Sequence, residues 1–341
     1  MLVQLCCALQ ERGVPQHVVS LSERGHHGDV LEAQGVPVTA LNMRFAADLP
    51  RAIVTLVRLV RNLKPAVIQG WMYHGNLMAG LIHLIALQGS RSRLLWNLRA
   101  SNMDEKRYGW LIKASKLVSS WPDAIVANSQ AGAKFHVDMG YKPSSPIIVI
   151  GNGIDVQKIK PNPEIREKIR VEFGIARDAV VALHVARADP MKDHATFLAA
   201  IGSTPAIRAL LLGAGTDKLR LPGNAQALGV RHDVLSFYAA ADIIVSSSAF
   251  GEGFSNVIVE GMSACLIPIA TDVGDARRIV GNVGWIVAPG NLEELAKAIS
   301  EVAALPEAER RRCGLAARER IVANFTLAQA VDAYARLYAA G

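Results

Sequence analysis

Short apolar runs alternate along the chain with longer stretches of helical periodicity. In the first half the runs fall at 17–21, 66–69, 94–98, 124–127 and 147–150. In the second they fall at 180–185, 209–212, 225–228, 243–246, 267–270 and 284–287. Runs this short and this continuously apolar read as strands buried on both faces, the kind found in parallel sheets. Strand alternating with helix predicts an α/β protein with doubly wound sheets. The rhythm breaks where the run at 147–150 meets Gly151-Asn152-Gly153 and a polar, proline-bearing stretch at 157–164. This is the expected linker. Beyond Asn291 the pattern is helical throughout, at 293–305, 307–324 and 327–338. The expected organisation is therefore a first domain at 1–155, a second at 156–325, and a closing helix at 326–341 packing back on the first.

Composition changes this picture little. A chain of 341 residues, 51% hydrophobic and 20% charged, suits two α/β halves and leaves no room for a long disordered tail. Residues 1–10 carry no basic leader, so no signal peptide is expected. The longest apolar stretch, 77–87, is interrupted by Gly80 and His83 and falls short of the ~20 residues of a membrane span. Cys6, Cys7, Cys265 and Cys313 show no metal-ligand spacing. A reducing, cytoplasmic setting follows as the expectation.

Charge adds one feature. Of the net +7, the part through Asp155 carries 16 basic against 10 acidic residues, and the remainder 21 against 20. A basic first half suits an anionic partner, such as a membrane surface on which the protein is peripheral or a lipid-linked diphosphate, or is simply a solvated face. Residues 106–121 mix Lys106, Arg107, Lys113 and Lys116 with Tyr108, Trp110, Leu117 and Trp121, which is the composition of an interfacial helix or of one packing its aromatics inward. No nucleic-acid partner is expected, since only Arg310-Arg311-Arg312 speaks for one, more simply as a wet helical face.

Three segments carry candidate chemistry. The first is Glu252-Gly253-Phe254-Ser255-Asn256-Val257-Ile258-Val259-Glu260, following a strand that ends in Ser246-Ser247-Ser248. Gly253 allows a close ligand approach, and a helix starting near Ser255 would offer amides and a dipole to a phosphate. Glu260, more than a turn inside, could accept sugar hydroxyls. On spacing alone the two glutamates also fit a solvated helix cap. The second segment follows the run at 180–185 and holds Arg187 and Lys192, which could neutralise a diphosphate or be stray loop charges. The third, after 66–69, is Gly70-Trp71-Met72-Tyr73-His74, where His74 is the candidate of the first half, packed or exposed without a role being the alternative.

Together these segments resemble family 4 of the retaining GT-B glycosyltransferases, two Rossmann-like domains facing across a cleft. The resemblance extends through Asp123-Ala124-Ile125-Val126-Ala127-Asn128-Ser129, Ile150-Gly151-Asn152-Gly153-Ile154-Asp155 and Ala270-Thr271-Asp272-Val273-Gly274-Asp275 to a closing helix around Tyr334 and Tyr338. It implies transfer of a sugar from a nucleotide-sugar donor to a glycan or lipid-linked acceptor, in polysaccharide or glycolipid synthesis. By the same resemblance Arg187 and Lys192 hold the donor diphosphate and Glu260 the ribose. Glu252 with the amides of Gly253, Phe254 and Ser255 addresses the transferred sugar, and His74 reaches that sugar from the opposite domain. Catalysis would need no metal and no cofactor, and no Asp-x-Asp element or histidine-cysteine cluster is present in the sequence.

The chain departs from the family pattern twice. Met1-Leu2-Val3-Gln4-Leu5 already reads as the first helix, so the opening strand and glycine-rich turn are expected to be missing. Asp217 to Pro222 replaces a longer helical connection. A non-catalytic membrane or carrier-binding protein, a truncated inactive copy, and a hydrolysing or epimerising enzyme on the same fold are the competing readings. Gly213-Ala214-Gly215 lacks the third glycine of a dinucleotide fingerprint, which argues against a dehydrogenase.

Overall fold

The computed structural model describes residues 1–99 and 105–340, except for the side chains of 105–108. The chain divides into two compact units, residues 1–153 with 327–341, and residues 154–326. Each is a parallel α/β unit, as the strand-helix alternation predicts.

The first unit runs α1 (Leu2–Glu11), β1 (Val18–Ser20), α2 (Gly25–Ala33), β2 (Val38–Ala40), α3 (Leu49–Leu63), β3 (Val67–Trp71), α4 (Met72–Ala86), β4 (Arg93–Leu98), α5 (Glu105–Leu117), β5 (Ala124–Ala127), α6 (Gln130–Asp138) and β6 (Ile148–Val149). Its strands form a parallel pair, β1-β2, and a separate parallel sheet, β3-β4-β5-β6. Strand β2, only Val38-Thr39-Ala40, is too short to show a period and was not expected from the sequence.

Helices hold the two sheets together on both faces. On one face, α1 sends Cys6 into a cluster with Val18 and Val38 of the pair, and Leu5 and Leu9 into another with Val126 of the larger sheet and Ile150 just beyond it. On the other, Leu56 and Val60 of α3 sit in a cluster that takes in both Val19 of β1 and Ile68 of β3. Helix α3 ends at Lys64, which adopts the left-handed conformation at φ 46° and donates its N–H to Val60 O at 2.9 Å.

The last helix, numbered α14 because it closes the chain (Leu327–Ala339), belongs to this unit. Tyr334 is fully buried there and its hydroxyl accepts a hydrogen bond from Asn97 Nδ2 at 2.7 Å. Arg93 donates to the carbonyl of Leu337 at 2.7 Å, a cation on the last turn of a helix. In α5, Leu111 and Ile112 point inward while Trp110, Lys113, Lys116 and Leu117 are exposed. Lys106, Arg107 and Tyr108 of the expected interfacial segment lie outside the described side chains.

The second unit contains α7 (Pro163–Glu172), β7 (Val180–Val185), α8 (His194–Gly202), β8 (Ile207–Leu212), β9 (Ala225–Ala227), α9 (Val234–Ala240), β10 (Ile243–Ser246), α10 (Asn256–Ser263), β11 (Ile267–Thr271), α11 (Ala276–Val280), β12 (Trp285–Val287), α12 (Leu292–Ala304) and α13 (Glu307–Asn324). Sheet order is β12-β11-β10-β7-β8-β9, all parallel. From β7 the chain first winds outward through β8 and β9, then returns to β10 on the other side and winds through β11 and β12. The order therefore reverses between β7 and β10, which opens a crevice at their carboxyl ends.

Helices α8 and α12 pack Phe197, Leu295 and Ile299 on one face of this sheet; α7 and α9 pack Ile169 and Phe237 on the other. At the opposite, amino end of the strands Asp242 accepts from Arg166 at 2.6 Å, from the buried Arg170 at 2.8 Å and from the N–H of Val181 at 2.8 Å. Such a paired, hydrogen-bonded charge cluster fixes where β10 enters the sheet.

Candidate active site

The loop leaving β7 is shaped by its own side chains. Asp189 Oδ1 accepts the N–H of Met191 at 2.9 Å and so starts a single 3₁₀ turn at Pro190–Lys192. That N–H, with burial opposing it and Arg187 helping, holds the Asp189 carboxyl below its ordinary range. Asp193 then adopts the left-handed conformation at φ 47° and caps α8, accepting from Thr196 N at 3.1 Å. Lys192 is thereby aimed across the crevice between β7 and β10.

There it meets Glu252. Lys192 Nζ and Glu252 Oε1 form an ion pair whose side chains are 21% and 13% exposed, and Ser248 Oγ donates to the same carboxylate oxygen at 2.8 Å. The loop after β10 is fastened to the turn itself, since Ala249 N donates to Met191 O at 2.9 Å. Beneath lies a buried relay. His184 Nε2–H donates to Ser247 Oγ at 3.1 Å, and the Ser247 hydroxyl donates to Lys192 O at 2.8 Å. Burial, with His194 and Lys192 nearby, pushes His184 well below the ordinary imidazole value, so it stays neutral.

Two glycines allow the backbones to come this close. A Cβ on Gly213, at φ 141°, would lie 2.0 Å from Ala186 O. One on Gly274, at φ 63°, would lie 2.4 Å from Glu252 O. The Gly213-Ala214-Gly215 stretch thus serves packing against the loop that carries Arg187.

Other sequence candidates take distinct places. Arg187 is mostly exposed and donates through Nε to Asp189 at 3.0 Å, apart from the Lys192–Glu252 pair. The carbonyl of Gly253 accepts Asp275 N at 2.9 Å, and Phe254 is buried with its ring centroid 5.7 Å from that of Phe325. Ser255 is the N-cap of α10 without a capping side-chain bond. Glu260 lies inside α10 and accepts the hydroxyl of buried Tyr238 at 2.7 Å. Burial raises the Glu260 carboxyl above its ordinary value, and the Tyr238 bond partly offsets it. Tyr238 had no sequence signal of its own; it lies in α9, 22 positions away.

His74 is exposed in the first turn of α4 in the first unit. Its neighbour Tyr73 is buried and donates to His136 Nε2 at 2.7 Å, while His136 Nδ1–H donates to Gly132 O at 2.7 Å. Among the described residues no group of three His, Cys, Asp or Glu side chains could hold a metal ion, and no helix is long and apolar enough to cross a membrane.

A crevice at a strand-order reversal, lined by a lysine, a half-buried carboxylate and a helix start, suits an anionic ligand with hydroxyls. Comparison with known proteins sharpens that. Residues 165–320 match the model for glycosyl transferases group 1, and residues 1–158 match the model for glycosyltransferase family 4. Both halves of the chain match glycosyltransferase families. Solved structures agree on the fold. Anabaena HepE in complex with UDP gives a TM-score of 0.85 at 21% identity, covering 100% of this chain and 95% of that one. A glycosyltransferase from Rickettsia africae gives 0.83 at 20% identity, covering 98% and 92%.

Among curated relatives, the D-inositol 3-phosphate glycosyltransferase of Geodermatophilus obscurus is 30% identical over 237 residues, 60% of this chain and 52% of the relative. The GDP-mannose-dependent alpha-mannosyltransferase of Mycobacterium tuberculosis is 29% identical over 178 residues, 50% of this chain and 45% of the relative. The chain thus aligns with about half the length of these relatives.

Proposed function

We propose that this glycosyltransferase-family chain transfers a sugar, with retention, from a nucleotide-sugar donor to a glycan or lipid-linked acceptor, without a metal. One observation carries the reading: the half-buried Lys192–Glu252 pair, braced by Ser248, at the crevice between β7 and β10. A donor diphosphate entering beside Arg187 and Lys192 would find both cations within five positions of one rigid loop. Glu260, fixed by Tyr238, would take the ribose hydroxyls, and Glu252 with the amides of Gly253, Phe254 and Ser255 the transferred sugar. His74 is proposed to meet that sugar as well.

In this scheme the acceptor hydroxyl attacks the anomeric carbon on the face from which the nucleotide leaves. The carbon–phosphate oxygen bond breaks as the new glycosidic bond forms, and the leaving phosphate oxygen takes the hydroxyl proton. Arg187 and Lys192 stabilise the charge that collects on that phosphate. Anabaena HepE, similar in fold, is seen in complex with UDP and with UDP-glucose, and one relative is a GDP-mannose-dependent mannosyltransferase, so both nucleotides belong in the test. A cytoplasmic site of action against an anionic membrane is supported by exposed Trp110, Lys113, Lys116 and Leu117 on one helix. The reading retains the expectation that the family's opening strand is missing from residues 1–341, supported by the division of the first unit's strands into a pair and a set of four.

The test is nucleotide release from UDP-, GDP- and ADP-sugars in EDTA, with and without glycan or lipid-linked acceptors. Acceptor-dependent release that Glu252→Ala abolishes is expected. Acceptor-independent release would favour hydrolysis instead; binding of anionic vesicles without any release would favour a non-catalytic carrier-binding protein.

A further inference from the structure

Arg99 follows the carboxyl end of β4, where parallel sheets take ligands. Four parts of the first unit fix its guanidinium, all through uncharged groups. It donates through Nη1 to Asn97 Oδ1 at 3.3 Å and through Nη2 to Asn152 Oδ1, in the loop beyond β6. It lies 4.9 Å above the ring of Trp71, the last residue of β3. The Tyr334 hydroxyl, from α14, is a further hydrogen-bond partner. Among the described residues no carboxylate forms an ion pair with it, whereas Arg166, Arg170, Arg187, Arg231, Arg277 and Arg278 each have one.

A guanidinium drawn out of water is costly unless an opposite charge compensates it. Amide oxygens and an aromatic face orient the fork and attract it weakly, but they leave its charge unbalanced. Burial accordingly lowers the Arg99 pKa, with Tyr334 opposing. Among the described residues the arrangement lacks an anion, and the group it presents is a planar fork matched to an oxyanion.

We propose that Arg99 anchors an oxyanion site in the first unit that takes a phosphate or diphosphate group of the acceptor. This rests on the reading that Arg187 and Lys192 hold the donor diphosphate in the second unit. It adds to that reading the chemical class of the acceptor and a residue that binds it.

The probe is inorganic pyrophosphate, titrated calorimetrically into the full chain at low salt. Wild type binds two equivalents, and Arg187→Ala/Lys192→Ala binds one. Adding Arg99→Gln to that double variant removes the remaining site, whereas adding Arg99→Lys keeps the charge, loses the fork and weakens binding on the order of tenfold. Far-UV circular dichroism checks the fold of each; if Arg99→Gln unfolds the chain, the Arg99→Lys comparison decides. Pyrophosphate binding to the double variant that neither Arg99 substitution alters, or a double variant that binds none, overturns the site. A double variant that still binds nucleotide as wild type does would overturn the donor reading, and the Arg99 titration would then stand by itself.

Discussion

Replacing Tyr238 with phenylalanine removes one hydroxyl from a fully buried position and leaves its shape intact. Among the described residues that hydroxyl's partner is Glu260, at 2.7 Å. Hydrogen bonds to charged groups contribute about 1.5–3 kcal/mol, so Tyr238→Phe costs about 2 kcal/mol once Glu260 has lost its proton. In a unit of this size that is about 4–8 °C in Tm. The pH dependence is the sharper readout. Burial raises the folded pKa of Glu260 above the unfolded 4.5, so the folded protein holds its proton more tightly and stability falls as pH rises through that window. Tyr238 opposes the shift, so its loss pushes the folded pKa higher and widens the window upward. Urea unfolding followed by fluorescence from pH 4 to 8 should show a difference from wild type that is small at the acid end and grows to its full size toward neutrality. A difference that is the same across the range would mean the hydroxyl acts by packing alone, and the pairing with Glu260 would lose its energetic meaning.

Two further outcomes follow from the packing and the surface. Gly213→Ala places a Cβ against Ala186 O at a backbone angle that disfavours side chains, so it should destabilise by about 3 kcal/mol in urea unfolding and weaken nucleotide affinity by moving Arg187; a change below about 0.5 kcal/mol would contradict the close approach. Lys113→Glu with Lys116→Glu should weaken co-sedimentation with anionic vesicles by at least roughly 30-fold, at about 1 kcal/mol for each basic residue lost; unchanged binding would remove α5 from the membrane reading.

The fold class was legible because nearly every strand is a short apolar run between glycines or polar residues. It failed only at β2, three residues whose side chains are half-buried. The site was legible in its parts and not in its pairing. Lys192 and Glu252 are 60 positions apart, and only the reversal of strand order between β7 and β10 makes them neighbours. Tyr238 and His184 act through burial, which leaves no mark that separates them from core residues. Arg99 looks like any basic residue after a strand until Asn152, Trp71 and Tyr334 are seen around it.

The separation of β1-β2 from the four-stranded sheet has a consequence for how the first unit comes apart. Among the described residues no backbone ladder crosses between the two, so the apolar sides of α1, α3 and α4 transmit cooperativity from one to the other. The segment from β1 to β2 is therefore the natural first piece to melt, with a local free energy below that of the rest. Once it lifts, the amide and carbonyl row of β3 opposite β4 is a ribbon open to any extended chain, including another copy of this one. Heat would then act on this protein first as a trigger of strand exchange between molecules, and only later as a denaturant of its helices.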